Sequence, residues 1–263
     1  MSEIDTIMPS YSAFNQLHHQ DKPLLLGNVW NVQSVRAFEK SGFQALGTSS
    51  AAIANSLGYE DGQQLSFGEL LYQIERIIKS TSLPLSVDLE GGYGETSQEI
   101  VENIRTLHKM GVVGINLEDS KVENGARKLS DGNSFSILLH KITSSLKNEN
   151  INVFVNVRCD AFLMQHDNAL TLAIERIDQY EKAGADGIFL PGISRDDDIR
   201  TVVSCTHLPI NVMCMPDLPD FEVLARWGVK RISMGNWVFT KIYDTMEKTI
   251  NQILIQQSFH PLF

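Results

Sequence analysis

Lys109-Met-Gly-Val-Val-Gly-Ile-Asn-Leu-Glu-Asp119 carries three signals in sequence. A cation closes a helix, Gly111 follows where a helix C-terminus favours the left-handed conformation, and an apolar strand then ends in acids. The same unit recurs as Lys40-Ser-Gly-Phe-Gln-Ala-Leu-Gly47, Lys182-Ala-Gly-Ala-Asp-Gly-Ile-Phe189 and Arg226-Trp-Gly-Val-Lys-Arg-Ile-Ser233. Each copy delivers a strand, so the chain is built from repeated αβ units.

Working outward from these units, eight strands are predicted, over 24–28, 45–50, 85–90, 114–119, 153–159, 187–191, 210–215 and 231–236. Between them lie helical patterns, including Phe67–Lys79, Ser97–Met110, Asn133–Lys147, Ala169–Ala183 and Asp220–Trp227. Near-continuous apolar strands alternating with amphipathic helices imply a parallel sheet covered by helices. Eight such units close as a (β/α)8 barrel of the α/β class; an open doubly wound sheet is the alternative. No linker or composition shift divides the chain, so 1–263 reads as one barrel domain. The stretch from Trp237 to Gln257 has a long helical pattern suited to packing on a neighbouring subunit.

Composition narrows the partners. The formal charge of −10 over 263 residues argues against nucleic acid, which requires a basic footprint. An anionic small molecule remains compatible, because local cations override the global field. Cys159, Cys205 and Cys214 form neither a disulfide framework nor a zinc pattern and read as reduced, buried thiols. The acidic N-terminus and the lack of a long apolar run point to a cytoplasmic protein without a membrane span. His18, His19, His108, His140, His166, His207 and His260 show no ligand spacing and read as surface residues without a catalytic role.

The chemistry sits at strand ends, where a barrel places it. In Leu85-Ser-Val-Asp-Leu-Glu-Gly-Gly-Tyr-Gly94, the strand period of two puts Asp88 and Glu90 on one face; Asn116 and Glu118 share a face likewise. Carboxylates converging from neighbouring strands cannot all stay ionised without a cation. An oxygen donor set without His or Cys suits a hard ion, Mg²⁺ first and Mn²⁺ second. Asp119 fits either this group or a helix N-cap. Arg158 shares parity with Asn156 and Asp160 and can grip a carboxylate or phosphonate with its fork; Cys159 then points toward the helices. Strand two ends in Thr48-Ser-Ser50, whose amides can complete the anion grip. A hard metal beside an arginine suits a 2-oxo acid or its enolate.

These residues resemble the isocitrate lyase/phosphoenolpyruvate mutase superfamily. The resemblance runs from Leu24-Leu-Leu-Gly-Asn-Val-Trp-Asn31 to Ser233-Met-Gly-Asn236 and is most specific in Ser56-Leu-Gly-Tyr-Glu-Asp61, Asp88-Leu-Glu-Gly-Gly-Tyr-Gly94, Asn116-Leu-Glu-Asp119 and Asn156-Val-Arg-Cys-Asp-Ala161. It implies a Mg²⁺-dependent barrel that makes or breaks a C–C or C–P bond next to a 2-oxo acid. It further implies Asp88 as direct metal ligand, with Asp61, Glu90 and Glu118 holding the ion largely through water. Thr48, Ser49 and Ser50 fall in the substrate-binding segment, and Arg158 matches the substrate-binding arginine. The family also implies dimers or tetramers that exchange the last barrel helix.

The lid after strand four differs. The C–C lyases carry Lys-Lys-Cys-Gly-His there, whereas this chain reads Ser120-Lys-Val-Glu-Asn-Gly-Ala-Arg-Lys-Leu129, without cysteine or histidine. Lys121 and Asn124 are the candidate catalytic lid residues beside Arg158, with Arg127 and Lys128 as further cations. The expectation is a mobile loop that closes over a bound anion. The leading functional expectation is a Mg²⁺-dependent lyase for a substrate like oxaloacetate or phosphonopyruvate. A phosphonate mutase or hydrolase, and a catalytically retired barrel that binds a metal and an oxo acid, are the alternatives.

Overall fold

The computed structural model describes residues 10–123 and 125–263. In chain order the barrel strands are β1 (Leu24–Val29), β2 (Leu46–Thr48), β3 (Leu85–Asp88), β4 (Gly114–Glu118), β7 (Phe154–Arg158), β8 (Gly187–Leu190), β9 (Ile210–Met213) and β10 (Arg231–Ser233). All pair in parallel and close into one barrel, with β1 hydrogen-bonded to both β2 and β10. The helices are α1 (Tyr11–Leu17), α2 (Val32–Lys40), α3 (Ser50–Ser56), α4 (Phe67–Ile78), α5 (Ser97–Lys109), α6 (Gly132–Asn148), α7 (Ala169–Lys182), α8 (Asp196–Ser204), α9 (Phe221–Trp227) and α10 (Trp237–Gln256). The predicted (β/α)8 barrel is therefore the observed fold.

The repeated units explain the closure. Gly42, Gly111, Gly184 and Gly228, the glycines of the four copies, all have φ between 82° and 98°. An L side chain there would be strained, and glycine turns each helix end back toward its strand. The helix starts are fixed as well: Asn31, Ser66 and Thr96 form capping boxes at the heads of α2, α4 and α5. On α4, Leu70, Ile74 and Ile77 form the buried stripe that lies against the sheet.

Several strands are shorter than predicted at their C-terminal ends. β2 stops at Thr48 because Ser49 turns out to cap α3, accepting from the Ala52 amide. β3 stops at Asp88 because Glu90 enters the left-handed region at φ 51°. Cys159 is buried as expected, but Cys205, at the end of α8, and Cys214, just beyond β9, are exposed. Thiols beyond the ends of elements lose the cover of the helix layer.

The stretch expected to be an open lid loop is an antiparallel hairpin, β5 (Ser120–Glu123) and β6 (Ala126–Leu129), with Val122 opposite Arg127. The Asn-Gly pair in its sequence, flanked by alternating residues, is a hairpin signal rather than a marker of open loop. The hairpin lies against the loop after α3: a Cβ on Gly62 would meet Val122 at 2.5 Å.

His18 is the other correction. It is 1% exposed, because α1 plugs the end of the barrel opposite the strand C-termini. Phe14 packs edge-on to Phe154, and the His18 ring stacks on Phe154 at 4.2 Å. Gly114 admits this plug, since a Cβ there would meet the Phe14 ring at 2.7 Å. His19, His140, His166, His207 and His260 are exposed as expected, and His108 is half-buried.

Burial, assisted by the nearby Arg231 charge, pulls the His18 pKa from 6.5 down to about 3. The folded state keeps the ring neutral while the unfolded chain takes up a proton below 6.5. This contribution is thus complete above pH 6.5 and is lost as pH falls toward 3. Between pH 6.5 and 4.5 it amounts to roughly 2–3 kcal/mol at about 1.4 kcal/mol per unit. Urea titrations of wild type and His18→Phe across that range should show a stability difference that shrinks on acidification, and a constant difference would contradict the assignment.

Candidate active site

The C-terminal ends of the strands form a small cavity of about 160 Å³, lined by Thr48, Ser50, Asp61, Asp88, Asn116 and Arg158 among others. Larger clefts exist, including one of about 440 Å³ beside Tyr11, Lys147 and Asp186 at the opposite end of the barrel. The converging acids are at the small cavity, and chemistry rather than size selects it.

Each acid reaches the mouth by a separate route. Asp88 ends β3; its Oδ2 accepts from Ser50 Oγ at 2.7 Å, and its Oδ1 accepts from Asn116 Nδ2 at 3.2 Å. Its own amide donates to Thr48 Oγ1 at 2.8 Å, which ties β2 to β3 at the site. Ser50 Oγ also lies 3.4 Å from Asp61 Oδ1, so the loop after α3 brings Asp61 beside Asp88. Glu90 does not share a regular strand face with Asp88, since the strand has already ended. It arrives through a loop in which Glu90, Gly92 and Tyr93 all have positive φ, an arrangement costing about 1–3 kcal/mol per non-glycine residue that clusters at functional sites. Tyr93 OH and the Gln63 amide, each at 2.7 Å, hold its carboxylate.

Glu118 ends β4 between two guanidinium groups. Arg127 Nη1 donates to its Oε1 at 2.5 Å, and Arg158 Nη1 lies 3.0 Å from its Oε2 without hydrogen-bond alignment. Arg158 also grips Asp160 with a fork, Nε to Oδ1 at 2.6 Å and Nη2 to Oδ2 at 3.2 Å. Of its five N–H donors, these leave some for a bound anion. Arg127 spreads further, from Nη1 to Ser120 Oγ at 2.8 Å and Asp160 Oδ2 at 3.2 Å, and from Nη2 to Asp61 Oδ2 at 3.1 Å. One side chain thereby clamps the hairpin onto three acids.

Lys121 and Lys128 are exposed on the outer side of the hairpin, away from the mouth. Asn124 lies outside the described residues. Asp119 neither caps a helix nor joins the cluster. It is fully buried on the helix side, where Arg176 and Tyr180 of α7 each donate to Oδ2 at 2.7 Å and the Asp160 amide donates to Oδ1 at 3.0 Å. Asp131 caps α6 instead. Asp160 also belongs to the cluster, gripped by Arg158 and reached by Arg127, and its parity with Arg158 is the signal the sequence carries for it. Tyr93 carries none.

The electrostatics follow from the count. Asp61, Glu118 and Asp160 pair with Arg127 and Arg158, while Asp88 and Glu90 have no arginine partner at the mouth, so five acids meet two cations there, with Arg231 a third cation beneath them. Burial, with Asp61 and Asp88 adding repulsion, pushes Glu90 up to about 7, although Tyr93 and Gln63 counter it. Burial likewise raises Glu118 despite both arginines. Acids driven toward their neutral forms mark a site short of positive charge.

The phosphoenolpyruvate phosphomutase family model matches residues 14–254. The 2-methylisocitrate lyase of Shewanella oneidensis is 31% identical over 201 residues, 75% of this chain and 68% of that protein. An oxaloacetate decarboxylase of Bradyrhizobium is 28% identical over 250 residues, 89% of this chain and 83% of that protein. A protein of Burkholderia cenocepacia J2315 provisionally assigned as a phosphonomutase superposes with a TM-score of 0.86 at 33% identity, covering 92% of this chain and 99% of that one. The chain belongs to the phosphoenolpyruvate phosphomutase family, within the isocitrate lyase/phosphoenolpyruvate mutase superfamily of enzymes.

Proposed function

We propose that the protein is a divalent-metal-dependent lyase for a small 2-oxo acid, with decarboxylation of an oxaloacetate-like substrate as its reaction. The observation that carries this reading is the excess of carboxylates over guanidinium groups around the small cavity at the strand ends. Relatives that include an oxaloacetate decarboxylase support it.

The residues fit a hard cation. The donors are all oxygens, and one divalent ion offsets most of the excess negative charge. Among the described residues no three acids, histidines or cysteines stand together as a ready-made ligand cluster. That arrangement is compatible with Mg²⁺, which keeps several waters and binds through one or two carboxylates. Asp88, central and 9% exposed, is the direct ligand in this reading; Asp61, Glu90 and Glu118 hold its water shell. A bound ion supplies a Lewis acid for the 2-oxo group as negative charge develops there.

The chain's own groups do the rest. Ser50 orients Asp88, and the free donors of Arg158 receive the substrate carboxylate. Thr48 and Ser49 commit their hydroxyls to the Asp88 and Ala52 amides, so they shape the floor. Departure of CO₂ breaks the C–C bond and leaves its electron pair on the oxo group, which needs no acid from the lid. Neither cysteine nor histidine lines the cavity among the described residues, so water or a strand residue protonates the product. This disfavours isocitrate-type cleavage. C–P chemistry on a phosphonopyruvate-like substrate is the second reading, favoured by the 33% identical phosphonomutase-like structure.

We further propose that the chain works as one barrel unit in a cytoplasmic setting. No helix among the described residues is long and apolar enough to cross a membrane. Trp237, Ile242, Met246, Ile250 and Leu254 leave apolar surface exposed on α10, which supports packing against a second copy in a homo-oligomer.

Pyruvate release from oxaloacetate should depend on Mg²⁺ or Mn²⁺, and Asp88→Ala should lower kcat/KM by on the order of a hundredfold or more. Turnover of phosphonopyruvate alone would move the assignment to C–P chemistry, and binding without turnover would leave a retired barrel. A second expectation concerns the hairpin. Arg127→Gln removes charge-assisted bonds worth about 1.5–3 kcal/mol each. Amide exchange over residues 120–129 should therefore accelerate by tenfold or more, on the order of 1.4 kcal/mol or above in local opening. Unchanged protection would show that the hairpin is held by its packing on Gly62 instead.

A further inference from the structure

The barrel interior is polar from the cavity floor, to which Asn116 and Ser233 contribute, downward. Asn116, Asn156, Asn211, Ser233 and Arg231 face inward where branched apolar residues would ordinarily stack. Arg231 is the outlier among them. It is 1% exposed, and among the described residues its Nε and Nη1 have no hydrogen-bond partner. Its Nη2 donates to Asn116 Oδ1 at 3.3 Å. Burial lowers its pKa to about 9, so the side chain stays charged at neutral pH, and Asp88 is the acid whose charge reaches it.

A buried charge without a paired carboxylate is costly and persists only where something compensates. The compensation lies across one amide. Arginine can only donate, so the Asn116 oxygen must face Arg231; an ionised carboxylate can only accept, so the Asn116 NH₂ must face Asp88. The observed bonds obey both demands: Asn116 Nδ2 donates to Asp88 Oδ1, and Asn116 Oδ1 accepts from Arg231 and, at 2.9 Å, from Asn156 Nδ2. The amide dipole is thereby aligned between a cation below and an anion above. His18, the nearest titratable neighbour on the plug helix, is kept neutral by burial and adds no competing charge.

We infer that Arg231 is a positioning residue for the active site: through the Asn116 amide it orients and electrostatically supports the Asp88 carboxylate from the barrel interior. The inference rests on the cation-binding role given to Asp88 above. Arg231 does not touch the cavity, so its influence must pass through Asn116, and the two residues should act as one unit rather than independently.

The test pairs a metal-free readout with a metal titration. In ¹⁵N spectra of the metal-free protein, the Asn116 side-chain amide, assigned by its loss in Asn116→Ala, should shift in Arg231→Met and move part of the way back in Arg231→Lys. Followed by electron paramagnetic resonance, Mn²⁺ affinity should fall on the order of tenfold or more in Arg231→Met. Adding Arg231→Met to Asn116→Ala should cause little further loss. An unmoved amide resonance, or additive losses in the double variant, overturns the inference. If Arg231→Met does not fold, Arg231→Lys against Asn116→Ala gives the same decision. If the wild type binds no Mn²⁺, the cation reading of the site fails by itself, and the amide resonance still decides the relay.

Discussion

Repulsion among carboxylates at the barrel mouth is the constraint on which the rest of the site depends. Five acids meet there, four of them buried, and burial raises the pKa of Glu90 and Glu118. Each is therefore committed to a donor: Asp61 to Arg127, Asp88 to Ser50 and Asn116, Glu90 to Tyr93 and Gln63, Glu118 and Asp160 to the two arginines. The strained turn at Glu90 makes sense in this setting. A regular continuation of β3 would not have delivered its carboxylate to the Gln63 amide and the Tyr93 hydroxyl.

The two arginines of the mouth divide the task. Arg158 comes from the rigid sheet and is locked by its fork on Asp160, so its position does not depend on the lid. Arg127 comes from the hairpin and bridges Asp61, Glu118 and Asp160, so the contacts that hold the hairpin against the mouth also offset the charge of these acids. A second buried anchor lies behind them. Asp119 holds Arg176 and Tyr180 of α7, and Arg176 reaches the Ser130 carbonyl at 2.6 Å, fixing the base of the hairpin. Buried pairs of this kind add little net stability but strongly penalise loss of either partner, which suits them to fixing geometry.

The barrel was legible because its unit is local. A cation, a left-handed glycine and a buried strand recur within about ten residues, and no long-range fact is needed to read them. The acids were legible for the related reason that functional groups of a barrel sit at strand ends. What escaped depends on partners distant in sequence. His18 carries no local mark of burial; it is buried because α1 happens to plug the barrel. Arg231 follows Lys230 in an ordinary strand pattern, and alternation alone does not say which of two adjacent cations faces inward. Arg127 was one of several lid cations, and only the hairpin register turns it inward while Lys121 and Lys128 face out.

The central claim is that this cluster is built around a missing positive charge supplied by a hard divalent ion. Anomalous scattering from crystals grown with Mn²⁺ tests it most directly. The account predicts one strong peak per chain at the mouth of the barrel, against the Asp88 carboxylate, that disappears in Asp88→Ala. No peak at the mouth, with the acids still paired only to Arg127 and Arg158, would contradict it.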